Sequence, residues 1–260
     1  MDQPRIDEAA AFLWRTRIEQ RRIEALPDRL KPQSLADGYA IQDAMVGVAG
    51  QPVSGWKIAA TSKAGQEHIG VTEPLAGRLF KNFILPDGAQ LPAAPLHMAV
   101  MEAEFAFRMA RDLPPRGAAY GQAEVCDAVA ALHLAIEVPD ARFERFAEIG
   151  PAQIVADDAF AAWFLLGAQV PDWQRLDLPT QPVRAFKNGA LFREGVGADA
   201  LGDPRIALTW IANHLAQRGI GLKAGDIITT GTCITPANIG PGDQMVAEFV
   251  DLGRVAVSFR

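Results

Sequence analysis

The sequence predicts an α+β protein built on a rolled or barrel-like mixed sheet, preceded by a small helical segment. Three observations predict it. Short apolar runs separated by Gly, Pro, Asn and Asp fill the chain after Gly50. Long helical patterns are few, and the elements do not alternate in the regular βαβα of a dinucleotide-binding fold. The chain has 260 residues, 49% hydrophobic and 22% charged, enough for one large domain or a small one joined to a medium one.

Residues 5–25 read as a charged amphipathic helix, with Phe12, Leu13, Ile18, Ile23 and Leu26 at helical spacing and Pro27 and Pro32 breaking it. Ser34 is placed to N-cap a second helix through Ala40, Ile41, Met45 and Val46, stopped by Gly50 and Pro52. These helices are expected to form an N-terminal subdomain over 1–52, leaving 53–260 for the sheet. Expected strands are 55–59, 79–85, 99–109, 132–138, 162–166, 183–187, 191–194, 226–230, 244–249 and 254–259. Asn188-Gly189 marks a two-residue hairpin, since both central positions must accept positive φ. Helices are expected at 121–131 and at 204–217; the latter has Asp203 as N-cap, Pro204 at its first position and Gly219 beyond its end.

A net charge of −6 argues against nucleic acid or an anionic membrane as partner. Cys126 and Cys233 lie too far apart in sequence for a metal motif and suggest no disulfide framework. Acids stand where a secretory signal carries bases, and no stretch approaches a membrane span, which predicts a cytoplasmic protein. No Gly-rich nucleotide loop, G-x-S-x-G or H-E-x-x-H occurs. Several apolar edge strands favour a homo-oligomer.

Glu102 and Glu104, two apart on an expected strand, share a face. Like charges this close repel unless a cation neutralises them, one is protonated, or the face is solvated. Glu137 ends the apolar run 128–136; it either starts the loop with Pro139 and Asp140 or supplies a third carboxylate. Three carboxylates would offer the hard oxygen ligands that Mg²⁺ or Mn²⁺ prefers. Lys57, amid apolar neighbours, either snorkels to the surface or aims its charge into a pocket. The loop Thr229-Thr230-Gly231-Thr232 is either a wide turn or an anchor for a small carboxylate, through hydroxyls and exposed N–H groups. Asp157-Asp158 can cap a helix, form a turn pair or contribute to a site. His68 and Arg78 flank the loop after Lys57 and can edge a pocket; Cys233 has no activating base nearby.

Taken in order, several segments resemble the fumarylacetoacetate hydrolase superfamily, in the branch of 2-keto-4-pentenoate hydratases and 4-oxalocrotonate decarboxylases. They are Gly55-Trp56-Lys57-Ile58-Ala59-Ala60-Thr61, Ile69-Gly70-Val71, Gly77-Arg78-Leu79-Phe80, Met101-Glu102-Ala103-Glu104, Ala135-Ile136-Glu137-Val138-Pro139-Asp140, Val155-Ala156-Asp157-Asp158-Ala159 and Gly225-Asp226-Ile227-Ile228-Thr229-Thr230-Gly231. The resemblance implies a helical N-terminal part packed on a mixed β-roll with the site inside the roll. It implies Mg²⁺ or Mn²⁺ held by Glu102, Glu104 and Glu137, with Lys57, Glu73 and Asp157 catalytic. Arg78, Asp158, Thr230, Gly231 and Thr232 would meet the substrate. Two departures stand out. Related hydratases carry an acid in the segment that reads Pro74-Leu75-Ala76-Gly77 here, Glu73 being the nearest, and often a Ser where Phe160 stands.

The implied reaction is hydration of a 2-hydroxy-dienoate to a 4-hydroxy-2-oxo acid in aromatic-compound catabolism, the metal acting as a Lewis acid at the C2 oxygen. The implied partner is a small 2-oxo or 2-hydroxy acid, and a complex with an enzyme of the same pathway is compatible with this. Decarboxylation of a 2-oxo-dienedioate or C–C hydrolysis of an acylpyruvate would use the same electron sink. Outside catalysis, Leu75 and Phe160 motivate a non-catalytic homologue that only binds 2-oxo acids.

Overall fold

The structure, a computed structural model, describes residues 1–260 except the side chains of Ala64 and His68, so the pocket-edge expectation for His68 lies outside what is described. The chain begins with α1 (Gln3–Ile18) and α2 (Leu35–Ala49), then β1 (Val53–Ala59), α3 (Lys63–Ile69), β2 (Leu75–Phe80), β3 (Ile84–Pro86) and β4 (Gln90–Leu91). It continues through β5 (Val100–Met109), α4 (Gln122–Cys126), β6 (Val129–Val138), α5 (Pro151–Ala156), β7 (Trp163–Val170), β8 (Pro182–Lys187) and β9 (Ala190–Val196). Last come α6 (Pro204–Gln217), β10 (Ile227–Thr232), β11 (Ala237–Asn238), β12 (Gln244–Phe249) and β13 (Gly253–Phe259). No described helix is long and apolar enough to cross a membrane.

The larger sheet has eight strands, in the order β2-β1-β10-β5-β6-β7-β3, with β11 also paired to β5. Its connectivity forces it to curl. β2 and β3 are the two edges of that order, yet only Lys81–Phe83 separates them along the chain. A linker that short spans no more than about 15 Å, whereas seven strands laid flat would hold their edges roughly 29 Å apart. The sheet is therefore rolled, and it is mixed: β1 runs parallel to β10 and β3 parallel to β7, while β5 is antiparallel to both neighbours.

Alternation along β5 divides the two faces of this roll. Met101, Ala103, Phe105 and Phe107 enter the main core, where Phe105 meets Phe249 of the second sheet at 4.8 Å between ring centres. That sheet has five strands in the order β4-β13-β12-β8-β9. The other face of β5 carries Glu102, Glu104 and Ala106. The expected hairpin joins β8 to β9, with Asn188 and Gly189 at φ 52° and 82°. The N-terminal helices share a second apolar cluster, in which Leu13, Leu30, Ile41 and Met45 pack with Phe80 and Phe143.

Three expectations about elements are corrected. The first helix ends at Ile18 rather than near 25, because Gln20 turns left-handed and Ile23 leaves to pair its backbone with Arg142 and Glu144. The helix expected over 121–131 covers only Gln122–Cys126, since Val129 already belongs to β6. The strand expected at 79–85 is split by a 3₁₀ turn at Lys81–Phe83 into β2 and β3.

Helix α6 forms as its caps dictate: Asp203 accepts from the N–H of Arg205, and Gly219 lies beyond the end with φ 72°. Near its C-terminus His214 stacks on Trp210 at 4.7 Å, and burial, with Arg218 adding, holds its pKa down to about 4. A histidine depressed on folding stabilises fully above its unfolded pKa near 6.5, and that contribution is lost as pH falls from there towards 4. His214→Phe is expected to remove this loss, on the order of 2 kcal/mol after allowance for the ring's partial exposure. Thermal melts of both proteins at pH 7 and pH 4.5 check it: the wild type should drop further.

Candidate metal centre

The pairing of β5 with β6 sets Glu102 directly across from Glu137 and Glu104 across from Ala135. Residues opposed in an antiparallel pair share a face, so all three carboxylates converge. Each offers an oxygen, and the three oxygens lie within 4.8 Å of one another. Glu104 and Glu137 are buried; Glu102 is half-buried and lines the adjoining cavity.

A fourth charge comes from β1. Lys57 is 3% exposed, its Nζ 3.0 Å from Glu137 Oε1 and donating at 3.1 Å to the Ala159 carbonyl. It points inward rather than snorkelling. Burial alone would lower its pKa, but Glu137, Glu102 and Glu104 outweigh that and raise it, so the ammonium stays charged. Burial likewise lifts Glu102 to about 7 and Glu104 well above the carboxylate range, Glu137 adding repulsion in both cases. Neither Glu137 oxygen, nor Glu104 Oε1, accepts a well-aligned hydrogen bond among the described residues. Three carboxylates facing one ammonium leave a charge deficit that one divalent cation closes, and buried unpartnered oxygens are the hard donors such an ion takes. The residues present fit that ion.

The bulge in β10 supplies the next piece. Pairing with β5 shifts register between Thr229 and Thr232, and the Gly231 N–H, freed there, donates at 2.9 Å to Glu104 Oε2. Gly231 has φ 89°, and the space of its missing Cβ is taken by the Thr61 side chain. Beside the carboxylates opens a cavity of about 560 Å³, to which Lys57, Glu102, Gly231 and Thr232 contribute.

One wall of this cavity is an unusual turn. Asp158, Ala159 and Phe160 all have left-handed backbone, at φ 57°, 50° and 61°, a costly run for residues with side chains. Two buried acids hold it. Asp158 accepts from the Arg78 N–H at 2.7 Å and pairs with Arg17 of α1 at 3.2 Å. Asp157 accepts from Arg142 Nε at 2.5 Å and from the Arg142 N–H at 3.0 Å. The turn thereby presents the Ala159 carbonyl to Lys57 and the Phe160 ring to the cavity.

Several expected site residues therefore sit elsewhere. Asp157 and Asp158 do not line the cavity; their carboxylates are spent on arginines behind it. Arg78 stacks on Trp56 at 4.4 Å and pairs with Asp43 of α2. Glu73 is exposed in the loop before β2 and outside the cavity. Thr230 is buried, and its hydroxyl donates to the Phe105 carbonyl at 3.0 Å, tying β10 to β5. Leu75 is core, whereas Phe160 does line the cavity. Sequence reasoning missed Glu194 and Asp199, which reach this cavity from β9 and the turn after it; no local pattern marked them.

Gly77, across from Lys57 on β2, leaves room for that side chain. A Cβ there would stand 2.9 Å from Lys57 Cγ and collide with the Asp158 carbonyl. Gly77→Ala is expected to push Lys57 away from Glu137 and to destabilise the fold by about 1–3 kcal/mol, the range for overfilling a packed site. Urea or thermal melts of the variant check it, the midpoint falling below that of the wild type.

A rolled mixed sheet holding three convergent carboxylates and a buried lysine beside a cavity defines the class: a fold whose donors fit a divalent cation next to room for a small molecule. The chain belongs to the fumarylacetoacetate hydrolase family, whose C-terminal family model matches residues 61–260. It is 31% identical over 261 residues to a 2-keto-4-pentenoate hydratase of Burkholderia vietnamiensis, covering 99% of this chain and 98% of the relative. It is 34% identical over 210 residues to a 4-oxalocrotonate decarboxylase of a Pseudomonas species, covering 81% and 78%. Its fold is similar to that of 4-oxalocrotonate decarboxylase from Pseudomonas putida, solved in complex with magnesium and adipate. There the TM-score is 0.92 at 28% identity, with 100% and 99% of the two chains covered.

Proposed function

We propose that this chain is a metal-dependent hydro-lyase that adds water to a 2-hydroxy-dienoate of the 2-keto-4-pentenoate type, giving a 4-hydroxy-2-oxo acid. The observation that carries the reading is the convergence of Glu102, Glu104 and Glu137 with charged Lys57 beside a cavity of about 560 Å³. The three carboxylates would hold Mg²⁺ or Mn²⁺; the magnesium in the similar decarboxylase structure supports the former. Bound there, the ion supplies Lewis acidity at the C2 oxygen of a 2-oxo or 2-enol acid.

The chain's own residues supply the rest. The Lys57 ammonium, fixed by Glu137 and the Ala159 carbonyl, faces the space beside the carboxylates and can hand over a proton or neutralise developing oxygen charge. Gly231 holds Glu104 by its N–H, and Thr232 lines the cavity beside it, its hydroxyl donating to the Ile234 carbonyl at 2.8 Å. Phe160, Phe146 and Ile154 make part of the cavity apolar, which limits bulk water around a conjugated tail. In the net reaction the C2 enol oxygen gives up its proton and C5 gains one, then water adds its hydroxyl to C4 and its proton to C3, leaving the C2 ketone.

The test supplies 2-hydroxypenta-2,4-dienoate to the purified protein with Mg²⁺ or Mn²⁺ and follows loss of the dienol absorbance. A parallel arm measures CO₂ from a 2-oxo-dienedioate. Hydration that stops on EDTA and returns with metal is expected. Full activity after EDTA, or CO₂ release without hydration, sinks the reading.

A further inference from the structure

The charges around the cavity are uneven. Among the described residues that line it, Lys57 is the one cation, and it is already engaged by Glu137. Against it stand Glu102, at the carboxylate cluster, and two further acids, Glu194 and Asp199. Both are exposed, so they belong to the solvated side of the cavity. Glu194 pairs with Arg184 at 3.2 Å, but that arginine is shared with Glu248 at 3.7 Å, one cation between two carboxylates. Asp199 accepts from the Val196 N–H at 3.0 Å and has no cationic partner among the described ion pairs. The rest of the lining is apolar or hydroxyl-bearing, with Met98, Phe146 and Phe160 among the large side chains.

We infer that Glu194 and Asp199 determine specificity by charge, so that the site takes a 2-oxo or 2-enol monocarboxylic acid with an uncharged tail and rejects one whose tail ends in a second carboxylate. The inference rests on the proposed metal chelate. With the first carboxylate and C2 oxygen at the metal, a tail carboxylate has two places to lie. In the apolar part it would be a desolvated charge without a partner. Towards solvent it would face Glu194 and Asp199, whose repulsion is real but weakened by screening. An alkyl, vinyl or hydroxyl tail meets neither obstacle. The similar Pseudomonas putida protein, by contrast, was solved with adipate, a dicarboxylate.

Isothermal titration of the Mg²⁺-loaded protein with oxalate, 2-oxohexanoate and 2-oxoadipate tests this, the last two sharing a six-carbon chain and differing in the terminal carboxylate. Oxalate should bind, and 2-oxohexanoate should bind roughly tenfold more tightly than 2-oxoadipate, the scale of like-charge repulsion in a partly solvated site. The preference should shrink in 0.5 M salt and in Glu194→Gln with Asp199→Asn. Equal or tighter binding of 2-oxoadipate, with oxalate bound, overturns the specificity inference alone. Failure of oxalate to bind overturns the chelate and this inference with it. The wild-type affinities decide the matter even where the double variant fails to fold.

Discussion

Glu137→Gln is expected to abolish metal-dependent turnover, a loss on the order of 10³-fold or more in kcat/KM. Glu137 is buried, opposite Glu102 across the strand pair, with both oxygens lacking aligned hydrogen bonds and one beside Lys57. The amide keeps the shape but replaces a charged ligand oxygen with a neutral one and brings an NH₂ that cannot bind a cation. Lewis-acid stabilisation is worth several kcal/mol, and each 1.4 kcal/mol is about tenfold in rate. The variant should stay folded without metal, because removing one of three converging negative charges offsets part of the loss at Lys57. Steady-state assays across a Mg²⁺ series, with a circular dichroism melt, check this. Activity within tenfold of wild type at moderate Mg²⁺ would contradict it.

Lys57→Met carries the second large effect. Activity should fall by about 10²–10⁴-fold, the range for loss of a positioned proton-transfer group. The variant also strips the one ammonium from three buried or half-buried carboxylates. Leaving a buried charge unpaired costs about 3 kcal/mol or more, so the metal-free protein should melt several degrees lower. Saturating Mg²⁺ should restore more melting temperature to Lys57→Met than to wild type, because the ion replaces the missing charge, yet should not restore turnover. Arginine is no substitute, since the side chain runs past the backbone of Gly77 with little room to spare. A Lys57→Met protein as active as wild type would remove the lysine from the chemistry.

What could be read in the sequence was local, or repeated a known order of segments. Asn188-Gly189 and the caps of α6 were legible because turn and cap chemistry is decided within a few residues. Glu102 and Glu104 could be put on one face from spacing alone. Their meeting with Glu137 depends on the register of two strands whose pairing no short-range pattern states; there the family resemblance carried the reading. The two aspartates mark the limit. Asp157 and Asp158 resemble acids of a site, but their partners, Arg142 and Arg17, come from other parts of the chain, and Arg17 is 141 residues away from Asp158. Their work is to hold a left-handed turn under Lys57, which nothing local could announce. Glu194 was hidden for the same reason: it is an ordinary exposed strand residue until the second sheet folds over the cavity. Helical spacing runs past the end of α1 because pairing of Ile23 with the 142–144 backbone overrides it.

The central claim is that Glu102, Glu104 and Glu137 hold one divalent ion. Titration of the metal-free protein with Mn²⁺, followed by calorimetry or by loss of the free-ion electron paramagnetic resonance signal, tests it most directly. Binding of one Mn²⁺ per chain is predicted, competed by Mg²⁺ and weakened at least a hundredfold in both Glu102→Gln and Glu137→Gln. Wild-type protein that takes up no Mn²⁺, or variants that bind it as tightly as wild type, would contradict the account.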